Sequence, residues 1–332
     1  MSKSSPVTAN ITALGHYLPD YVMTNAELEG LVETNDAWIQ SRTGIKERRI
    51  LKNPDHATSY MGTKVAQEIL DTRGIDASEI DCIIVATVTP DYMFPATACL
   101  IQREIGAENA YGFDISAACS GFLYAFSTGA MMIESGRYKK VMVIGGDKMS
   151  SIVDYTDRTT CIIFGDGAAG VLLEPSEDGY GLVDTIQRCD GVEAELLRQR
   201  GGGSKHPASA ETVNNGDHFL KQEGRVVFKK ATSYMADVSL EIMERNNLGK
   251  DDVSWFVPHQ ANERIIKATA ARMGLSTDKV MINISRYGNT TAATIPLCLY
   301  EWQNQLNKGD NVILASFGGG FTWGSSYLKW GL

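Results

Sequence analysis

Three side chains in this sequence, if brought together, could make and break thioester and carbon–carbon bonds: Cys119, His259 and Asn289. Cys119 follows Asp114-Ile-Ser-Ala-Ala and, past Ser120, precedes Gly121-Phe-Leu-Tyr-Ala-Phe. This places it at the predicted first turn of a helix that is apolar on every side through Ile133. Such a helix is buried, and the partial positive charge at its N-terminus favours the thiolate, the nucleophilic form of cysteine. His259 follows a strand and a proline in Val257-Pro-His-Gln-Ala-Asn, and Asn289 lies in Tyr287-Gly-Asn-Thr-Thr. Taken singly, the histidine could be structural and the asparagine could cap the helix that follows. Taken with Cys119 they form a set with one well-suited chemistry. A malonyl thioester that loses carbon dioxide places negative charge on its thioester oxygen, and an imidazole N–H and a carboxamide can hold that oxygen without a carboxylate partner. A protease would instead use the asparagine to orient the histidine. Phe317-Gly-Gly-Gly-Phe-Thr-Trp-Gly324 adds a glycine-rich turn whose amides can approach an acyl group on sulfur, or which is simply a tight turn between two strands.

The elements that position these residues read as α/β, with strands and helices alternating along most of the chain. A weak internal repeat is visible. Asp81-Cys-Ile-Ile-Val-Ala-Thr-Val, the segment Tyr111–Cys119 with its helix, and Lys140–Gly146 recur as Asp252–His259, Val280–Asn289 with its helix, and Asn311–Gly320. From Asp81 to Cys119 is 38 positions and from Asp252 to Asn289 is 37, so the two residues fall at equivalent strand-to-helix junctions. Two related halves are expected, residues 1–175 carrying Cys119 and residues 176–332 carrying His259 and Asn289. The polar, glycine-rich stretch Arg198–His218 breaks the pattern and reads as a long loop over the second half. Gly165-Asp-Gly-Ala-Ala-Gly170 matches a dinucleotide fingerprint, but it runs into Val-Leu-Leu-Glu, a strand where such a site needs a helix.

Bulk properties exclude several classes. The 332 residues, 43% hydrophobic and 21% charged, fit a globular enzyme, and a net charge of -9 argues against a nucleic-acid binder. The polar start has no signal-peptide pattern, and the longest apolar runs are too short to cross a bilayer. Six cysteines are scattered without a CxxC pair, which points to a reducing cytoplasm, without disulfides or a metal site. Cys82, Cys99, Cys161 and Cys298 read as small core hydrophobes, and Cys189 is undecided.

Ala117-Ala-Cys-Ser-Gly-Phe122, Pro258-His-Gln-Ala-Asn262, Tyr287-Gly-Asn-Thr-Thr-Ala-Ala-Thr-Ile-Pro296 and the 317–324 turn occur in this order. In this the chain resembles the ketoacyl-acyl-carrier-protein synthase III family of thiolase-fold condensing enzymes, along nearly its whole length. The resemblance implies a five-layer αβαβα fold and a homodimer. It implies that Cys119 takes an acyl group from acyl-coenzyme A and condenses it with malonyl-acyl carrier protein, initiating fatty acid biosynthesis without a cofactor. His259 and Asn289 would promote decarboxylation, and Gly319 would share an oxyanion site with the Cys119 amide. Thr34, Trp38, Arg42, Arg158, Gly224, Ala261 and Asn262 match coenzyme A contacts, with Trp38 and Arg158 on either side of the adenine. Lys229 matches a basic carrier-docking position, and Arg264, Lys267 and Arg272 share one broad face of the helix after His259. Phe94 and Phe317 are expected at the acyl pocket and the dimer interface. The loop Arg198–His218 is longer and more polar than the simplest members carry, which leaves the primer open. An acyltransferase or ketosynthase of secondary metabolism on the same fold is the alternative reading. A non-catalytic acyl-binding subunit is the other, and Cys119 counts against it.

Overall fold

The computed structural model describes residues 7–332. One sheet is built from β1 (Thr8–Tyr17), β2 (Cys82–Ala86), β3 (Tyr111–Ile115), β4 (Val141–Asp147) and β5 (Gly167–Ser176), in the order β1-β5-β4-β2-β3. The other contains β6 (Gly181–Cys189), β7 (Trp255–Pro258), β8 (Asn311–Gly318) and β9 (Thr322–Lys329), in the order β6-β9-β8-β7. Read from its first strand, each sheet makes two antiparallel pairings and then parallel ones. The repeat seen in the sequence is thus a repeat of topology. One expected element is missing. Val280–Asn289 is no strand; it makes a single parallel bridge from Val280 to Phe256 and then turns into the short helix Ile284–Tyr287.

The main helices are α1 (Asp36–Thr43), α2 (Thr58–Arg73), α3 (Thr97–Ile105), α4 (Gly121–Glu134), α5 (Gly224–Arg245), α6 (Glu263–Met273) and α7 (Thr294–Trp302). Helices α2 and α3 cover the outer face of the first sheet, α4 and α7 lie between the sheets, and α5 and α6 cover the second. These are five layers, α-β-α-β-α. Strands β2 and β4, covered on both faces, are buried at every residue and read as continuous apolar runs rather than alternating ones.

The middle helix departs from expectation. Helix α4 buries Phe122, Leu123, Phe126, Ala130 and Ile133, but Met131 is 61% exposed and Tyr124 and Thr128 are only half-buried. A helix between two sheets buries the faces that meet them, and its third flank stays open. Cys99, read as a core residue, is also exposed. The glycine-rich segment at 165–170 leads into β5, a strand, and offers no helix N-terminus to a dinucleotide. The long loop has structure of its own: Leu197–Gln199 pairs antiparallel with Leu220–Gln222, and a short helix, Ala210–Asn214, lies between them.

The layered core generates a direct expectation. Phe126 is fully buried and stacks on Phe122 at 5.7 Å between the ring centroids. Phe126→Ala should cost about 3–5 kcal/mol by urea denaturation. A loss under about 1 kcal/mol would show that the middle layer closes over the void.

Candidate active site

Cys119 lies in a single tight turn, Ala118–Ser120, between β3 and α4. Helix α4 begins at Gly121, so the thiol sits ahead of the helix rather than in its first turn. Ala118 adopts φ 46°, a left-handed conformation that is costly for a residue with a side chain. The turn is held from the other half of the molecule. Ser316 Oγ donates to the Cys119 carbonyl at 2.8 Å, and Thr322 Oγ1 donates to the carbonyls of Ala117 and Gly319, at 2.9 and 3.1 Å. A Cβ on Gly318 would overlap the Cys119 amide, so only glycine permits this approach.

The matching junction of the second half is the turn Thr291–Ala293 ahead of α7, where Thr291 has φ 52°. Superposing the two left-handed residues pairs Ala118 with Thr291, and hence Cys119 with Ala292. Asn289 is therefore at the same junction as Cys119 but three residues earlier, a shift that sequence spacing could not resolve. The exchange between halves is mutual, since the Ala292 carbonyl lies where a Cβ on Gly145 of β4 would stand.

His259 directly follows β7, its backbone N–H donating to the Ala315 carbonyl on β8 at 2.8 Å. Its side chain is 2% exposed, with Nδ1 2.7 Å from Thr294 Oγ1 and Nε2 without a partner. Burial pushes the imidazole down to about 3, so the ring is neutral at working pH. The Asn289 backbone bridges to Ile163 and Gly165, and its Oδ1 accepts from Thr291 N–H at 2.8 Å, which turns the amide nitrogen away from that contact. Cys119, His259 and Asn289 line one cavity of about 870 Å³, together with Phe317 and Gly319. Burial pushes the Cys119 thiol up to about 12; the charge of Asp147 adds to this, and the Asn289 side chain and the Cys119 N–H act against it. Desolvation thus opposes the thiolate that the helix field was expected to favour.

Asp147, missed in the sequence, is fully buried at the end of β4. Its Oδ1 accepts from the Thr87 hydroxyl at 2.9 Å, the Val88 N–H at 2.7 Å, and the N–H and hydroxyl of Thr89, both at 3.0 Å. Its other oxygen accepts from the Thr291 hydroxyl, across the boundary between halves. Thr294 and Thr322 were missed as well. Both lie inside motifs quoted above, but their roles come from contacts 35 or more residues away.

The cavity mouth gathers Trp38, Arg42, Gly224, Ala261 and Asn262 as expected. Asn262 caps α6 through Arg264 N–H at 3.0 Å and also donates to the Arg42 carbonyl at 2.9 Å. Four arginines line the cavity, Arg42, Arg198, Arg225 and Arg264, and no carboxylate does. In a chain of net charge -9 this local excess suits an anionic ligand. Arg198 and Arg225 were not singled out from the sequence; Arg198 comes from the ribbon inside the supposed loop, which therefore forms part of the wall. Thr34 and Arg158 lie outside the lining. The Arg158 guanidinium stands 5.2 Å from the Trp38 ring centroid and donates to the Glu33 carbonyl at 3.0 Å. A purine between the two needs about 7–8 Å, two contact layers of ~3.5–4.0 Å, so the pair must open to admit one.

Phe317 is buried in the cavity wall, packed on Phe321 at 4.9 Å between the centroids. Phe94 is 86% exposed and lies outside the cavity of its own chain. The basic face behind His259 is mostly neutralised. Lys267 pairs with Glu263 and Arg272 with Asp237, each at 2.6 Å, while Arg264 covers the Phe228 ring and Lys229 is exposed, without an ion pair among the described residues.

Comparison with known proteins agrees with this arrangement. Residues 113–191 match the family profile described as 3-oxoacyl-[acyl-carrier-protein (ACP)] synthase III, and residues 243–330 match that of its C-terminal part. A beta-ketoacyl-[acyl-carrier-protein] synthase III of Chlorobaculum tepidum is 60% identical over 326 residues, 97% of this chain and 99% of the relative. The crystal structure of the 3-oxoacyl-[acyl-carrier-protein] synthase III of Aquifex aeolicus superposes with a TM-score of 0.89 at 42% identity, covering 97% of this chain and all of that one. The priming β-ketosynthase of the R1128 polyketide pathway has a TM-score of 0.90 at 29% identity, covering 100% of this chain and 98% of that one. The chain belongs to the 3-oxoacyl-[acyl-carrier-protein] synthase III family of thiolase-fold condensing enzymes.

Proposed function

We propose that the cavity takes an acyl-coenzyme A primer, that Cys119 accepts its acyl group, and that the acyl-enzyme condenses with malonyl-acyl carrier protein to begin fatty acid synthesis. One observation carries this reading. A buried thiol shares a cavity with two neutral hydrogen-bonding side chains, beneath a mouth lined by arginines alone among charged residues.

In the first half-reaction the Cys119 sulfur attacks the thioester carbonyl. A new S–C bond forms, the bond to the coenzyme A sulfur breaks, and the thiol proton leaves with coenzyme A. The backbone N–H groups of Cys119 and Gly319, two residues that line the same cavity, hold the transient oxyanion. In the second, the malonyl C–C bond breaks to release carbon dioxide, and its electron pair passes into an enolate. His259 Nε2 and Asn289 Nδ2 hold the enolate oxygen. Its carbon then bonds to the acyl carbonyl, and the Cys119 sulfur departs, taking a proton from water. A neutral pair suits this step, since an imidazolium would bind the malonyl carboxylate and oppose its loss.

The phosphates of coenzyme A meet Arg42, Arg198 and Arg225, and the adenine enters between Trp38 and Arg158 once these part, with Thr34, Gly224, Ala261 and Asn262 alongside. The acidic carrier docks on Lys229, Arg225 and Arg264, the cations left without acidic partners; Lys267 and Arg272 contribute less because they are paired. The chemistry calls for no cofactor. Two copies pair through the outer edge of β3, where Tyr111 is exposed. Phe94, on its exposed loop, then reaches the partner's acyl pocket, as an apolar ring needs cover. Among the described residues no helix is long and apolar enough to cross a membrane, which accords with a cytoplasmic enzyme.

Two measurements check the division of labour. His259→Ala and Asn289→Ala should slow condensation by ~10²–10³ while self-acylation by acyl-coenzyme A persists. Equal loss of both half-reactions would mean that these residues serve the thiol. The second measurement follows from the raised thiol. A group protonated up to about 12 gains thiolate steadily as pH rises, so iodoacetamide labelling of Cys119 in the ligand-free enzyme should climb from pH 7 to 10 without a plateau. A plateau by pH 8 would show an activated resting thiolate.

A further inference from the structure

We propose that Thr294 is a positioning residue which keeps the single ring proton of His259 on Nε2; the inference rests on the donor role given to His259 above. A neutral imidazole carries one N–H, and which nitrogen holds it decides whether Nε2 can donate to an enolate oxygen or instead points a lone pair at it. The structure contains a device that makes this choice. His259 Nδ1 and Thr294 Oγ1 are 2.7 Å apart, both buried. That separation matches a hydroxyl donor, whereas bonds donated by N–H cluster near 2.9–3.0 Å.

The hydroxyl has one other acceptor within reach, the Thr291 carbonyl at 3.0 Å. That carbonyl already accepts the backbone N–H of Thr294 at the start of α7, so it does not need the hydroxyl proton. The 2.7 Å separation and the already occupied Thr291 carbonyl both favour the Thr294 hydroxyl as donor to Nδ1, whose one partner among the described residues it is, and this leaves the proton on Nε2. Among the described residues Nε2 has no partner, and His259 lines the cavity.

Thr294 is held where it must be by the turn before it. Thr291, in its left-handed conformation, commits its hydroxyl to Asp147 and its N–H to Asn289 Oδ1. The same turn thus points the Asn289 amide and, three residues on, fixes the His259 tautomer. Both donors to the enolate depend on one short segment anchored in the opposite half.

The test uses the full-length enzyme with ¹⁵N-labelled histidine, the His259 signals assigned by their loss in His259→Gln. The wild type should show a neutral ring protonated at Nε2. Thr294→Val should move the proton to Nδ1 in a substantial fraction of molecules. It should slow condensation at least about tenfold, while acylation of Cys119 stays within about twofold. Thr294→Ser, which retains the hydroxyl, should restore both the spectrum and the rate, and so separate the hydrogen bond from any packing defect of the valine variant. A wild-type ring protonated at Nδ1, or a valine variant that condenses at the normal rate, would overturn the proposal. The spectrum reads the tautomer without turnover, so normal condensation by His259→Ala would defeat the donor reading alone.

Discussion

The whole site depends on how closely the two halves approach each other at their junction turns. The Cys119 amide rests on Gly318 and the Ala292 carbonyl rests on Gly145, with no space for a side-chain carbon in either place. Each half thus presses its strand-to-helix turn against the third strand of the other. Both turns begin with a non-glycine residue at positive φ, a strained state that persists only because surrounding contacts fix it. Cys119 comes from one half and His259 and Asn289 from the other, so the cavity they share needs both halves.

Burial then sets the chemistry. The same desolvation that pushes the His259 imidazole down pushes the Cys119 thiol up. Asp147 adds a buried acceptor whose partners are all N–H and O–H groups, never a cation. Its negative charge works against a resting thiolate, and its hydrogen bonds hold the turn that orients His259 and Asn289. The charged side chains that line the cavity are arginines, and Arg42, Arg225 and Arg264 are exposed to solvent.

Much of this was legible in the sequence because it rests on local pattern. The buried strands announce themselves as apolar runs, and the repeat announces the duplicated sheets. The motifs around Cys119, His259 and Asn289 mark the residues that share the cavity. What was not legible depends on contacts distant along the chain. The offset between Cys119 and Asn289 needs backbone geometry, because two equal spacings can hide a three-residue shift. The thiolate expected at a helix N-terminus fails because α4 starts two residues later and desolvation dominates. Met131 is as apolar as its neighbours, and only the placement of α4 between two sheets tells which flank is open. Lys267 and Arg272 look like a free basic face until Glu263 and Asp237 are seen beside them. Thr294 and Thr322 lie within two of the motifs without standing out in them, and Asp147 lies in none.

The central claim is that Cys119 alone carries the acyl group between the two substrates. It is tested most directly by trapping the enzyme after one turnover with acyl-coenzyme A and mapping the mass increase by peptide. One acyl group is expected, on the peptide containing Cys119, and malonyl-acyl carrier protein should discharge it with release of carbon dioxide. Acylation at any of the other five cysteines, or an acyl-Cys119 that malonyl-acyl carrier protein leaves untouched, would contradict the account.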